Sequence, residues 1–339
     1  MVVGTALAVS LLVLLAAYIY DATRSQMIAA GVRVGAIDVG GLSADAAFER
    51  LRQRLDVPLQ RDVVVQGPNR SFTLTPADAG VRIDTRALVD AAVHVSRGGF
   101  FLTRAVRDLT GGSVRRVIRA TVTFSRSVVS GLAAVVAQAV DRPARDATVV
   151  PSASGLHEQA QATGVAVEQG RLRLRIDHAL EDPSAAHTIS APTLRLRPNV
   201  TISELAARYP AYIIVDRAGF RLLFFQHLRL SVIYPVSIGR QGLQTPAGLY
   251  DVQWKQVNPP WHVPNDSWAG ALAGKTIPPG PQDPIKARWM AFNGGAGIHG
   301  TDVVSSIGHA ASHGCVRMRI PDVIALYDRT PVGTPVFVV

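Results

Sequence analysis

The distribution of apolar residues changes near residues 200–211, and this change constrains the fold more than any other feature of the sequence. Before it, segments with helical spacing alternate irregularly with strand-like segments. After it, most segments are short, rich in β-branched and aromatic residues, and separated by turns. The sequence therefore predicts a multidomain chain, with an α+β domain over residues 30–200 and a mainly β domain over residues 211–339. The second domain also contains one short predicted helix, Pro321–Tyr327.

The helices of the first domain are indicated by apolar residues that recur every three or four positions. One helix is expected to begin after Ser43, and two more are expected over Thr85–Ser96 and Ser127–Val140. The stretch Thr163–Ile176 alternates apolar and polar residues, which predicts a β-hairpin with its turn near Gln169-Gly170.

The N-terminal segment from Val2 to Tyr20 contains nineteen residues without a charge. A helix of this length covers about 30 Å, roughly the hydrocarbon thickness of a bilayer, so the sequence predicts a transmembrane anchor over residues 1–22. The run exceeds the apolar core of a typical signal peptide, but cleavage near Ala29-Ala30-Gly31 is the alternative. The charge rule does not decide the orientation, because Arg24 follows the span.

The balance of charges indicates an anionic environment. Lys and Arg number 35 against 25 Asp and Glu, a formal net charge of +10. A negatively charged lipid surface or cell-wall polymers would attract such a protein. No Lys/Arg run, zinc pattern or aromatic-flanked basic motif favours nucleic acid, so no nucleic-acid partner is expected.

The chain has one cysteine, Cys315, which excludes a disulfide within the chain. A reactive cysteine needs a nearby imidazole to form the thiolate, and both His299 and His313 are candidates. Gly314 permits a tight turn whose N–H groups could stabilise an oxyanion. This combination predicts acyl transfer through a thioester. The alternatives are a small buried apolar cysteine and a zinc site, for which one cysteine and two histidines supply too few ligands.

The segments Ile298-His299-Gly300-Thr301 and Ser312-His313-Gly314-Cys315-Val316-Arg317 resemble the signature of the L,D-transpeptidase (YkuD-type) catalytic domain. The resemblance covers about residues 211–339 and implies a β-sandwich-like domain with a short helix. Many members have Asn two residues after the cysteine, where this chain has Arg317.

The resemblance implies a peptidoglycan-cross-linking enzyme that needs no cofactor and no metal. Cys315 would attack the diamino-acid carbonyl of a tetrapeptide stem, release D-alanine, and pass the acyl group to the amine of a second stem in a 3→3 cross-link. By the same resemblance, His299 is the general base and the Gly300 carbonyl orients its ring. Carbapenems would acylate Cys315. The implied oxyanion-hole and site-shaping residues are Ser312, His313 and Gly314, and the expected substrate contacts include Arg317 and Thr301.

A long proline-rich insertion lies between Trp254 and Trp289 and cannot form regular strand interiors. Long loops in compact domains often cover binding sites, so we expect this one to lie over the cleft, with Trp261 and His262 near the substrate. The alternative is a packed surface loop in which Trp261 is a core anchor.

The first domain resembles the peptidoglycan-binding domain that precedes many exported cell-wall enzymes. The likeness rests on Val39-Gly40-Gly41-Leu42-Ser43, Leu74-Thr75-Pro76 and Arg142-Pro143-Ala144-Arg145-Asp146-Ala147. Whether this domain binds peptidoglycan or acts only as a spacer is left open.

The expected partners are therefore peptidoglycan stem peptides, cell-wall polymers and the membrane. The expected location is the cell membrane, with a single pass and the catalytic domain on the cell-wall side. Two alternative functions remain: an L,D-carboxypeptidase or endopeptidase that hydrolyses the same thioester, and a non-catalytic, membrane-anchored wall-binding protein.

Overall fold

The computed structural model describes the backbone of residues 2–339 and the side chains of residues 7–339. The helices, in chain order, are α1 (Val2–Thr23), α2 (Ala44–Leu51), α3 (Val57–Leu59), α4 (Pro76–Ala79), α5 (Thr85–Ser96), α6 (Phe101–Leu109), α7 (Arg126–Val140), α8 (Gln169–Glu181), α9 (Ile202–Arg208) and α10 (Ile320–Asp328). A π-helical stretch, Arg52–Asp56, joins α2 to α3, and 3-10 turns cover Ser267–Leu272 and Val304–Ser306.

The strands, in chain order, are β1 (Val32–Val34), β2 (Ile37–Asp38), β3 (Val63–Gln66), β4 (Ser71–Leu74), β5 (Arg116–Ile118), β6 (Thr148–Ser152), β7 (Gly155–Gln159), β8 (Gly164–Val167), β9 (Thr188–Ser190), β10 (Thr193–Leu196), β11 (Ala211–Asp216), β12 (Arg221–Gln226), β13 (Arg229–Pro235), β14 (Ile238–Gly239), β15 (Gly248–Asp251), β16 (Trp254–Val257), β17 (Trp261–His262), β18 (Thr276–Ile277), β19 (Lys286–Asn293), β20 (Ala296–Thr301), β21 (Ala310–Ser312), β22 (Val316–Arg319) and β23 (Pro335–Val338).

The N-terminal segment forms α1, whose last turn is tied to the following helices. Asp21 pairs with Arg97 at 3.1 Å and with Arg104 at 2.7 Å. Across residues 2–339, no helix combines the length and the apolar character needed to cross a membrane. Residue 1 and the side chains of residues 2–6, which belong to the predicted anchor 1–22, lie outside the described residues.

The chain divides into two compact units. The first comprises residues 1–143 and 165–195, and the second comprises residues 144–164 and 196–339. These bounds differ from the predicted domain limits of 30–200 and 211–339, because residues 144–164 belong to the second unit.

The first unit contains two separate apolar cores. In one, α7 and α8 pack against the three-stranded sheet β4-β3-β9. In the other, α2 and α5 pack against the sheet β2-β1-β5. Helix α2 begins after Ser43, whose hydroxyl accepts the backbone N–H of Ala46, as expected of an N-cap. The mixture of helices and strands predicted for this part of the chain is therefore observed.

The predicted hairpin over Thr163–Ile176 is wrong. Strand β8 ends at Val167, and the remainder of the segment is the start of α8. The alternation of Leu172, Leu174 and Ile176 is misleading, because Leu174 is 71% exposed. The buried residues Leu172, Ile176, Ala179 and Leu180 instead follow helical spacing.

Two sheets share the main core of the second unit. One has the strand order β13-β12-β11-β23-β15, and the other has the order β16-β19-β20-β22. Ile213 and Phe224 from the first sheet meet Met290 and Ile298 from the second, and α10 packs into the same core with Val323. The prediction of a mainly β domain with a short helix near its C-terminal end is confirmed for this unit.

The central strands β11 and β12 of the first sheet are buried on both faces. Every residue of β11 is buried, which explains why its sequence is almost continuously apolar. The face opposite the main core carries Tyr212, Ile214, Leu223 and Phe225. The hairpin β6–β7 supplies side chains that cover this face, including Val149 and Leu156.

We expect Val149→Asp to lower the free energy of unfolding by about 1–3 kcal/mol, because it places an unpaired charge against this apolar face. Val150 points to the other side of the same strand and is exposed, so Val150→Asp is the matched control and should change stability by less than about 0.5 kcal/mol. Urea denaturation of the full chain measures both values. Equal effects of the two substitutions would contradict the assignment of the hairpin to this unit.

Candidate active site

Two neighbouring parallel strands bring the predicted catalytic residues together. His299 lies on β20, and Cys315 immediately precedes β22. These strands pair with Ile298 opposite Val316, so residues sixteen positions apart in sequence become neighbours at one end of the sheet. One step earlier in the same register, Gly297 lies opposite Cys315, and its backbone lowers the pKa of the thiol.

His299 is held as a neutral imidazole with one nitrogen available. Its Nδ1 lies 2.8 Å from the carbonyl oxygen of Gly300, which can only accept, so Nδ1 donates and Nε2 keeps its lone pair. The side chain is 4% exposed. Burial lowers the pKa of His299 to about 4, the Gly300 contact opposes this shift, and the positive charge of Arg317 adds to it. His299 can therefore accept a proton at neutral pH, as a general base must.

Trp289 packs against the ring of His299 and contributes to its burial. The two residues are cross-strand partners in β19 and β20, and their ring centroids lie 5.9 Å apart with planes inclined by 27°. Gly297 makes room for the indole, because a Cβ at this position would lie 2.5 Å from it. Sequence reasoning missed Trp289 as a site residue. The turn signal at Gly294-Gly295 predicts the hairpin, but the register shift between Ala291 and Asn293 decides that Trp289 lies opposite His299, and the sequence gives no sign of that shift.

A closed turn presents the nucleophile. The hydroxyl of Ser312 donates to the carbonyl oxygen of Cys315 at 2.5 Å and accepts the N–H of Gly314 at 3.1 Å. Gly314 has a φ of +116°, a conformation that strains residues with a Cβ.

In this turn, only some of the N–H groups predicted to form the oxyanion hole are free to bind an oxyanion. The N–H of Gly314 is already used by Ser312, whereas those of His313 and Cys315 make no hydrogen bond in the described part of the chain. The two unused N–H groups are therefore the donors available to a developing oxyanion.

The thiol of Cys315 is not a preformed thiolate. Burial raises its pKa, while the Gly297 backbone and the charge of Arg317 act in the opposite direction. The sulfur also lies 3.8 Å from the carbonyl oxygen of Gly295, a contact that suits a thiol donor. Cys315 therefore depends on a base to remove its proton, and His299 is the neutral base beside it.

Arg317 is a half-buried cation whose charge reaches all three titratable side chains of the signature. It lowers the pKa of His299, His313 and Cys315. Its backbone is anchored on both sides by Ser237, with N–H to O distances of 2.8 and 2.9 Å. Its guanidinium forms no ion pair with any residue between 7 and 339. Such a group is available to an anionic part of a substrate.

A cavity of about 610 Å³ collects most of the predicted site residues. Those that line it are Cys315, His299, Ser312, His313, Gly314, Arg317, Trp261 and His262. Gly300 does not line the cavity and acts on His299 through its carbonyl oxygen.

Thr301 is not part of this cavity, contrary to the expected substrate contact. It is buried, and its hydroxyl accepts the backbone N–H of Val303 at 3.1 Å. The hydroxyl therefore stabilises the turn after β20. Alternation along β20 places Thr301 on the same face as His299, which suggested a site residue, but Thr301 lies at the end of the strand and does not line the cavity.

The insertion between Trp254 and Trp289 forms one wall of the cavity. Its short ladder β17–β18 carries Trp261 and His262, and the ring of His262 contacts the Thr276 hydroxyl at 3.0 Å. Sequence reasoning missed Trp268, which stacks on His313 with ring centroids 4.1 Å apart and planes inclined by 17°. No feature of the sequence around Trp268 indicates that its ring lies against His313.

Stability should depend on pH through His299. Its pKa is lower in the folded chain than in the unfolded chain, so the unfolded state binds more protons as the pH falls. The free energy of unfolding should therefore decrease by about 3 kcal/mol between pH 6.5 and pH 4 on account of this group. Urea denaturation across this range should show a steeper loss for the parent chain than for His299→Gln. Parallel curves would contradict a neutral, buried His299.

Comparison with known proteins supports the relationship suggested by this geometry. Residues 210–338 match the family model YkuD, "L,D-transpeptidase catalytic domain", and residues 72–185 match "Putative peptidoglycan binding domain". A crystal structure of an Enterococcus faecium L,D-transpeptidase mutant matches with a TM-score of 0.34 and 13% identity, over 85% of this chain and 99% of that one. That score is too low to bear on the fold.

Two curated relatives match the C-terminal part of the chain. The chain is 33% identical over 134 residues to "Probable L,D-transpeptidase ErfK/SrfK" of Escherichia coli, covering 38% of this chain but only 43% of that protein. It is 31% identical over 133 residues to "Putative L,D-transpeptidase YqjB" of Bacillus subtilis, covering 38% of this chain and 70% of that protein. With this identity over more than two thirds of a relative, the chain belongs to the L,D-transpeptidase family.

Proposed function

We propose that this protein is a peptidoglycan L,D-transpeptidase that forms 3→3 cross-links through a thioester on Cys315. The observation that carries the proposal is the pairing, in one cavity, of a protonated thiol with a buried, neutral histidine. His299 has a free Nε2 and a pKa of about 4, whereas burial raises the pKa of Cys315. This pair can move a proton as the nucleophile attacks, which is the requirement of thioester chemistry.

In the first half-reaction, the thiol of Cys315 attacks the carbonyl carbon of the diamino-acid residue in a tetrapeptide stem. The C–S bond forms while the thiol proton passes to Nε2 of His299. The N–H groups of His313 and Cys315 bind the resulting oxyanion. The C–N bond then breaks, His299 returns the proton to the departing nitrogen, and D-alanine leaves.

Arg317 suits the donor stem, because the leaving residue of a tetrapeptide carries a free carboxylate. The unpaired guanidinium lines the same cavity as Cys315 and can bind this carboxylate by two parallel hydrogen bonds. Such a contact selects stems that end in a free carboxylate.

In the second half-reaction, the amine of another stem replaces the sulfur. The acceptor ammonium first gives one proton to water and becomes nucleophilic. Its nitrogen then bonds to the thioester carbon, and the C–S bond breaks. A second proton from the nitrogen passes through His299 to the sulfur, which restores the thiol. The energy of the original peptide bond is retained in the thioester, so this route needs no nucleotide.

The location proposed for this chemistry is the cell-wall side of the membrane, with residues 1–22 as a single-pass anchor. The proposal rests on the nineteen uncharged residues from Val2 to Tyr20 and on the net charge of +10, which suits anionic lipids and wall polymers. Fractionation of cells should recover the full chain with membranes and a chain lacking residues 1–22 in the soluble fraction. Equal distribution of both would contradict the anchor.

The region around residues 72–185 is proposed to contact peptidoglycan, in agreement with the family model that it matches. The positively charged first unit would then keep the catalytic unit near its polymeric substrate.

Intact mass spectrometry of the full chain with a purified disaccharide-tetrapeptide should detect a mass gain equal to the stem minus D-alanine. Cys315→Ala should show no gain. Arg317→Gln should acylate about tenfold more slowly, since it loses a charge-assisted contact with the donor carboxylate.

The released products separate the candidate activities. A dimeric product establishes transfer, whereas a free tripeptide establishes hydrolysis of the same thioester. A mass gain that persists in Cys315→Ala, or the absence of any gain in the parent chain, would contradict the proposed function.

A further inference from the structure

The cavity that contains Cys315 carries one permanent charge of each sign. Among the lining residues that the structure describes, Arg317 is the only arginine or lysine, and Asp266 is the only carboxylate. The two stems of a cross-linking reaction also differ in charge at their reacting ends. The donor ends in a carboxylate, whereas the acceptor offers an amine that is protonated at neutral pH.

Asp266 is held in place by the insertion that forms one wall of the cavity. It precedes the 3-10 turn Ser267–Leu272, but its side chain makes no capping hydrogen bond to that turn. Instead, Oδ2 accepts the indole N–H of Trp268 at 3.1 Å. Because a carboxylate has several acceptor positions, this contact orients Asp266 and leaves Oδ1 open to another donor.

The same indole connects Asp266 to the catalytic segment. Trp268 stacks on His313, two residues before Cys315, with centroids 4.1 Å apart. Partial burial and the charges of Arg240 and Arg317 lower the pKa of His313. The position of the carboxylate is therefore coupled to the turn that presents the nucleophile.

Aromatic faces beside Asp266 add a second feature that suits an organic cation. Trp261 lies nearly parallel to Trp268, at 6.5 Å between centroids and an angle of 16°. Both rings line the cavity. Alkylammonium groups bind favourably where a carboxylate and the face of a tryptophan are presented together.

We propose that Asp266, oriented by Trp268 in a cavity that Trp261 also lines, binds the ammonium group of the acceptor stem. This inference rests on the proposed function and adds the acceptor subsite to it. Asp266 captures the cation and does not take its proton. After the ammonium group gives one proton to water, the free amine attacks the thioester carbon, as in the second half-reaction. Holding the amine in the cavity favours its attack over that of water.

The test compares a charged and an uncharged acceptor on the full chain with Cys315 already acylated. The charged acceptor is a diamino acid, and the uncharged one is hydroxylamine at neutral pH. Asp266→Asn keeps an oxygen that can accept from Trp268 but loses the negative charge. It should raise KM for the diamino acid about tenfold relative to hydroxylamine and increase the fraction of thioester lost to hydrolysis. The preference of the parent chain for the diamino acid over hydroxylamine should weaken at high salt, whereas the ratio measured with Asp266→Asn should not change.

Asp251→Asn is the matched control, because Asp251 is an exposed aspartate of the same unit that does not line the cavity. Its preference for the charged acceptor should equal that of the parent chain, and Asp266→Glu should recover part of that preference. An unchanged ratio in Asp266→Asn, or an equal loss with both acceptors, would overturn the subsite. If the proposed function itself is wrong, the result is different, because the parent chain then forms no acyl-enzyme and neither acceptor can be tested.

Discussion

The parallel pairing of β20 with β22 is the contact on which the site depends. It aligns Cys315, just before β22, with Gly297 of β20, two residues before His299 on the same face of that strand. A parallel pair cannot be closed by a tight turn, so a connection must leave one strand and return to the start of the next. The residues between the strands form that connection, and its last turn presents the nucleophile.

Burial then determines the protonation states from which the chemistry begins. The mainly apolar surroundings keep His299 neutral and Cys315 protonated, because each charged form would lose its hydration. Trp289 contributes to this environment by packing on the imidazole, and it can do so only because Gly297 lacks a side chain. A thiol and a neutral imidazole can exchange a proton during attack, so the arrangement needs no permanent ion pair in the resting enzyme.

The remaining cavity wall comes from a segment with little regular structure. Its many prolines prevent continuous strand pairing, and the segment is instead held by the ladder β17–β18 and by aromatic contacts. The stack of Trp268 on His313 connects this wall to the catalytic turn. A carboxylate on this wall and a guanidinium beside the nucleophile give the cavity two opposite charges, which matches a reaction that joins two differently charged ends.

The sequence by itself indicated Cys315 as the candidate nucleophile, because a lone cysteine beside glycine and histidine favours acyl transfer over a buried apolar cysteine or a zinc site. It also indicated the strand character of the C-terminal unit, where β11 is apolar up to its last residue, Asp216. The sequence wrongly predicted a hairpin around Leu174. Apolar residues at 172, 174 and 176 are typical of a strand, but they also fit a helix on which Leu174 is exposed. Only the tertiary structure decided that Thr301 does not line the cavity, that Ser312 occupies the N–H of Gly314, and that Asp266, Trp268 and Trp289 join the site. These depend on strand register, backbone turns and contacts between distant segments, and local sequence periodicity carries no information about any of them.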